Sequence, residues 1–242
     1  MKRISIVLIV LVFSVCAFAQ KTELRLALNS GLFSFGGNST VSESYIRNYP
    51  GYDIPNYTND VYSSKNGISY GLSFDIKRIK KSNFIFGINT GVEVLRNNIN
   101  ITGYYEYNFR IPEPYRFHKG IGNTITTHYF INTNPFMGYR FNLNNISLDL
   151  TGSFDVSYCL RAHENGFVNY DIGAYDIYTT SNDIKGINFD FRPRIQLESN
   201  LKKVGVYVGY SYGIVNYYPQ NQVANPEAYS RLIRFGLSFK IK

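Results

Sequence analysis

The chain has 242 residues, with 25 Lys and Arg against 17 Asp and Glu for a formal charge of +8, and aromatic residues make up 17% of it, 22 Tyr and 18 Phe with no Trp. Hydrophobic content of 44% excludes wholesale disorder, and a single long apolar run, at the N-terminus, excludes a bundle of membrane-spanning helices. With 26 Asn and only two Cys, the class that remains is a β-rich, tyrosine-rich globule or barrel.

Met1 to Gln20 carries Lys2 and Arg3, an apolar run from Ile4 to about Phe18, and the small-x-small site Ala17-Phe18-Ala19. This reads as a cleaved secretory signal, residues 1–19, ahead of one domain, residues 20–242; the run is short for a spanning anchor. Cys16 is not read as a lipidation site, because Val15 stands where a small residue belongs. Cys159 is then alone in the mature chain, so no internal disulfide is expected.

From there the chain reads in period two. Leu24, Leu26 and Leu28 open a first strand; Ile68, Tyr70, Leu72, Phe74 and Ile76 form the apolar face of a second, and Phe84, Phe86, Ile88, Val92 and Val94 that of a third. Thr124 to Phe141 is a weaker fourth. Ile146 to Arg161 alternates strictly for sixteen residues, longer than the five or six of an ordinary soluble strand. Ile187 to Glu198, Val204 to Tyr212 and Arg234 to Ile241 complete eight. Short connections around 78–83, 142–145 and 199–203 alternate with long ones around 36–66, 96–123, 162–185 and 219–228.

This pattern predicts an all-β fold, an eight-stranded antiparallel up-and-down transmembrane β-barrel with short periplasmic turns and long extracellular loops. The polar faces carry Asp75, Lys77, Glu93, Asp149, Asp155, Arg161, Asp190, Arg192, Arg194, Glu198, Arg234 and Lys240, six acids and six bases that suit the inside of a narrow barrel. The other face, nearly free of charge, suits lipid. A secreted soluble barrel, with its apolar face turned inward around a small ligand, is the competing architecture.

The last strand, Arg234-Phe235-Gly236-Leu237-Ser238-Phe239-Lys240-Ile241, has the order polar, any, Gly, any, any, aromatic, any, apolar. Arg234, Gly236, Phe239 and Ile241 thus resemble the C-terminal signal read by the barrel assembly machinery, although such chains usually stop on an aromatic residue and this one has Lys242. Tyr129 to Phe141, with Pro135 and an ending Tyr139-Arg140-Phe141, and Tyr210-Ser211-Tyr212-Gly213-Ile214-Val215-Asn216 are similar to strands of small Bacteroidetes outer-membrane barrels of the PorT-like family. That resemblance implies the barrel fold, an outer-membrane location and a connection with protein export; it implies no active residue.

Chemistry is sparse. His128 with Ser153 or Ser157 and Asp155 is the one nucleophile–base–acid set that alternation offers, a set that an outer-membrane lipid- or peptide-modifying enzyme would need. Strand alternation produces such sets cheaply, so no enzymatic activity is expected, and no cofactor or metal. The basic clusters Lys77, Arg78, Lys80, Lys81 and Lys202, Lys203 sit at short turns and read as headgroup neighbours, with no nucleic-acid role. Ile99 to Ile111 alternates on the parity opposite to Val92 and Val94, which predicts a bulge and then an extended ribbon. Binding is expected at the tyrosine-rich loops, where Tyr52, Tyr57, Tyr105, Tyr107, Tyr175 and Tyr178 are candidate contacts for an envelope protein or a glycan, unless the rings pack on one another. The expected partners are therefore outer-membrane lipid, the assembly machinery and such a surface ligand.

Overall fold

A computed structural model describes residues 21–50, 52–107, 115–170, 177–218 and 225–241. The signal segment and Tyr175 lie outside them. Among the described residues eleven strands form: β1 (Lys21–Gly36), β2 (Glu43–Asn48), β3 (Tyr57–Thr58), β4 (Gly67–Ile79), β5 (Phe84–Tyr107), β6 (Tyr115–Leu143), β7 (Ile146–Tyr170), β8 (Ile177–Asp183), β9 (Phe189–Leu201), β10 (Val204–Tyr212) and β11 (Tyr229–Lys240). Eight of them, β1, β4, β5, β6, β7, β9, β10 and β11, pair antiparallel in a closed ring, with β1 against β11 as the seam. Closure leaves no edge unpaired, which is what a strand surrounded by hydrocarbon requires.

The short connections take the tight geometry their residues allow. Asn144 and Lys202 open the two-residue links β6–β7 and β9–β10 with left-handed backbone, as does Asn83 at the end of the β4–β5 link. Pro135 in β6 donates nothing, and the β6–β7 ladder skips from Thr133↔Val156 to Phe136↔Ser153 around it.

Polarity is the reverse of a soluble barrel's. Leu28, Ile68, Val92, Ile131, Met137, Leu150, Ile195, Val206 and Phe235 stand exposed on the outer wall. Tyr70, Tyr129, Tyr158 and Tyr210 flank this band on the long-hairpin side, and Phe84, Tyr139 and Phe141 on the short-turn side. The apolar face is therefore outside, and the soluble-barrel architecture, which needs it inside, does not describe this chain.

Strands extend two of the long connections. β5, β6 and β7 run 24, 29 and 25 residues, well beyond the ring. Above it, β2 lies parallel to β5 from Glu43↔Asn100 to Asn48↔Glu106, β3 pairs with β2, and β8 pairs with β7. β3 and β8 then meet: the Thr58 backbone N–H points at both Glu164 oxygens (3.2 and 3.3 Å), Asn182 Nδ2 donates to Glu164 Oε1 (2.9 Å) and to the Asn56 carbonyl, and Asn56 Nδ2 donates to the Thr179 carbonyl (3.3 Å). The result is a six-stranded head whose core is Ile46, Ile99, Ile101, Tyr104 and Val168.

Two expectations change here. Glu93, Leu95, Asn97, Ile99 and Ile101 are all buried on one unbroken parity, so no bulge separates Val94 from Ile99. Ile99 and Ile101 continue the inward face because Ile46, Tyr104 and Val168 pack against them inside the head. The register shift of β5 falls later, between Ile101 and Gly103. Arg161, expected inside, is outside, because a bulge at Leu160, where Tyr129 pairs with Arg161 but Phe130 with Cys159, reverses the facing of β7 beyond it.

Candidate functional site

The interior is built in layers. Nearest the short turns, Glu23, Arg25, Lys77, Arg140, Asp149, Glu198 and Lys240 form one network. Arg140 Nε donates to Asp149 Oδ1 (2.6 Å), Lys77 Nζ to Asp149 Oδ2 (2.8 Å) and Glu198 Oε2 (2.5 Å), Arg25 to Glu23 Oε2 (2.5 Å) and Glu198 Oε1 (2.6 Å), and Lys240 to Glu23 Oε1 (3.0 Å). Period two sets all of these side chains inward from β1, β4, β6, β7, β9 and β11. Sequence reading missed Glu23, Arg25 and Arg140, which lie in the two weakly alternating strands, yet Arg25 and Arg140 each have an apolar residue on either side and Glu23 has Leu24 after it.

A second network follows above. Glu93 accepts from Arg192 and, at 2.7 Å, from Arg234; Asp155 accepts from Arg194 and, at 3.0 Å, from Arg234; Asp190 accepts from Ser230 (2.7 Å) and Tyr217 (2.9 Å). Between the networks lies a polar cavity of about 30 Å³, lined among others by Asp75, Asn89, Asn134 and Tyr207, with room for on the order of two waters. Above the second network Phe33, Phe35, Tyr62, Leu95, Phe130 and Tyr217 close the bore, with edge contacts such as Phe35–Tyr217 at 4.8 Å and Phe33–Phe35 at 5.0 Å.

His128 belongs to this aromatic layer. Its ring lies 5.8 Å from those of Phe35 and Tyr217, fully buried, and neither nitrogen has a hydrogen-bond partner. Ser157 is held by Arg192 (2.5 Å) and Asp155 by its arginines. The structure does not assemble the His128 set: His128 sits in the aromatic layer without a hydrogen bond, Ser157 and Asp155 are held by arginines, and Ser153 lines the polar cavity below.

The closing-strand residues divide by parity. Arg234 is buried in the second network, while Phe239 and Ile241 stand on the outer wall. Gly236 faces inward under the Tyr207 ring; a Cβ there would meet the Leu28 carbonyl oxygen at 2.2 Å and the Tyr207 hydroxyl at 2.4 Å.

The tyrosines gather on the head. Tyr57 stacks on Tyr49 at 6.1 Å, Tyr107 tilts on Tyr49 at 5.4 Å, and Tyr105 meets Tyr45 at 4.6 Å and Phe117 at 5.0 Å. Tyr178 packs on Tyr104 at 4.1 Å beside the head core, and Tyr52 is exposed. Most predicted contacts thus pack on one another, yet Tyr45, Tyr49, Tyr105 and Tyr107, with Arg47, also line an open hollow of about 90 Å³. Arg47 lies over the Tyr45 ring at 5.8 Å and donates to Asn59 Oδ1 (2.7 Å). Burial and the Tyr49 hydrogen bond push the Tyr57 hydroxyl up, while that bond from Tyr57 pulls Tyr49 down. Arg47 escaped sequence reading; its signal was the alternation Tyr45-x-Arg47-x-Tyr49 ahead of Pro50.

No family model and no curated protein matches the chain. Among solved structures it is similar to Ail, the attachment invasion locus protein of Yersinia pestis, solved in complex with a heparin analogue (TM-score 0.38, 9% identity, covering 91% of this chain and 100% of that one). It is also similar to Neisserial surface protein A (0.37, 9%, 92% and 100%) and to the outer-membrane protease OmpT of Escherichia coli (0.43, 12%, 90% and 97%).

Proposed function

We propose that the chain is an integral protein of the Gram-negative outer membrane, a sealed barrel that conducts nothing and presents its six-stranded head at the cell surface to an envelope protein or a glycan. The observation that carries this reading is the inversion of polarity along the strands: apolar outside and ion-paired inside over the ring, apolar inside over the head. Only a chain crossing from hydrocarbon into water needs that change. The hollow of Tyr45, Arg47, Tyr49, Tyr105 and Tyr107 is the contact surface, since tyrosines already packed on each other present apolar and hydrogen-bonding area with little ordering cost. The PorT-like likeness of Tyr129–Phe141 and Tyr210–Asn216 points to partners in protein export.

The test is fractionation followed by capture. The chain should need detergent for extraction and change gel mobility on boiling, and cells displaying it should retain a partner that Tyr105→Ala with Arg47→Ala releases. Recovery in the soluble fraction overturns the membrane reading. Unchanged capture by the double variant overturns the contact surface.

A further inference from the structure

On the outer wall, where β8 joins β7, three side chains stand in line. His163 Nδ1 is 2.9 Å from Asp183 Oδ1, and Ser181 Oγ is 3.3 Å from His163 Nε2. Asp183 is paired directly across from His163, and Ser181 is diagonal to it, so the strand register itself fixes the arrangement. Arg161 Nε donates to the same Asp183 oxygen at 2.8 Å and holds the carboxylate. Hydrogen bonds from Arg161 and His163 keep the Asp183 carboxyl below its ordinary range. An ionised carboxylate only accepts, so His163 donates from Nδ1 to Asp183 and its Nε2 faces the serine hydroxyl.

We propose that Ser181, His163 and Asp183 form a serine acyl-hydrolase centre on the outer wall, acting on the acyl esters of membrane lipids. Position argues for this substrate. Tyr158 and Leu160 stand exposed on the outer face of β7 where it leaves the ring, and His163 follows three residues after Leu160, about 10 Å along the strand, with Phe167 exposed further out. Ester carbonyls of lipids lie at that depth, between hydrocarbon and headgroup, and Arg161 stands ready for the headgroup's negative charge. The Leu160 bulge is what turns this face outward. The 3.3 Å separation lies at the loose end for a nucleophile and base without substrate.

In the reaction Ser181 Oγ bonds to the acyl carbon as His163 Nε2 takes its proton, and Asn165, directly opposite Ser181, offers an amide N–H to the oxyanion. The ester C–O bond then breaks, and the lipid alcohol leaves with the proton from His163. Water attacks the acyl-serine, gives its proton through His163 to Ser181, and frees a fatty acid; nothing is oxidised or reduced. The set is not legible in the sequence, because β8 is only seven residues long and falls within the long connection expected around 162–185.

The proposal rests on membrane residence for its substrate, but the first arm of its test does not. Detergent-purified full-length barrel, shown folded by its mobility shift, is treated with a fluorophosphonate probe. Labelling at Ser181, lost in Ser181→Ala and in His163→Asn, is expected. The protein is then placed in vesicles of phosphatidylethanolamine and phosphatidylglycerol, or of an acylated glucosamine lipid, with labelled acyl chains. Fatty-acid release falling at least about 100-fold in Ser181→Ala is expected, and the lipid that supports it identifies the source of the ester. Failure to label the folded barrel, absence of release from both vesicles, or release undiminished in Ser181→Ala overturns the proposal. Labelling of folded protein would stand even if the chain proved soluble in cells.

Discussion

Glu93 shows what a single residue does in the bore. It accepts from Arg192 and Arg234, which come from β9 and β11, so one carboxylate ties three strands of the ring together. Removing its charge leaves two buried guanidiniums short of a partner, and breaking a buried pair in this way costs about 3–5 kcal/mol. Glu93→Gln should lower the unfolding free energy by about that amount, measured by urea titration in detergent micelles. Gly236 illustrates a different use of a residue: its missing Cβ makes room for Tyr207, whose hydroxyl reaches Asn29 and the Leu28 carbonyl (3.4 Å) across the seam. Glycine at that point of the closing-strand motif thus has a packing reason of its own, whatever the assembly machinery reads.

The elements of interest are the short strands, β2, β3 and β8, which convert hairpin extensions into a head. Their junction is centred on Glu164, whose carboxyl burial pushes up from the ordinary carboxylate range despite the donors Asn182 and Thr58. The sign follows from linkage: an acid whose folded pKa exceeds its unfolded one binds its proton more tightly when folded, so its contribution is present below the unfolded value and fades as pH rises through the folded one. The β3–β8 junction should therefore resist limited proteolysis better near pH 4 than at pH 7.5. Glu164→Gln should flatten that dependence without changing the mobility shift of the ring. Sequence reading found the ring strands but neither β2 nor β8, since six or seven residues between Asn- and Gly-rich flanks carry too little alternation to stand out.

For the whole molecule the layered interior decides permeability. Among the described residues seven carboxylates, Glu23, Asp75, Glu93, Asp149, Asp155, Asp190 and Glu198, share the bore with seven cations, Arg25, Lys77, Arg140, Arg192, Arg194, Arg234 and Lys240, and the aromatic layer lies across its mouth. Single-channel recording in planar bilayers should show no steady conductance, and a defined step would contradict the sealed bore. The barrel, its eight strands, the alternation of short and long connections and most inward charges were legible in residues 21–242, because period-two alternation is a local property that each strand carries in its own sequence. Partners across strands are not local. Whether Arg161 faces in or out depended on one bulge opposite Tyr129, whether Ile99 meant a bulge or a continued inward face depended on the head strands that cover it, and the meeting of His163 with Ser181 and Asp183 depended on the register between β7 and a strand too short to announce itself. Sequence alone determined the period and hence the barrel; only the tertiary structure, through register and the change of surroundings along the strands, decided which side chains meet.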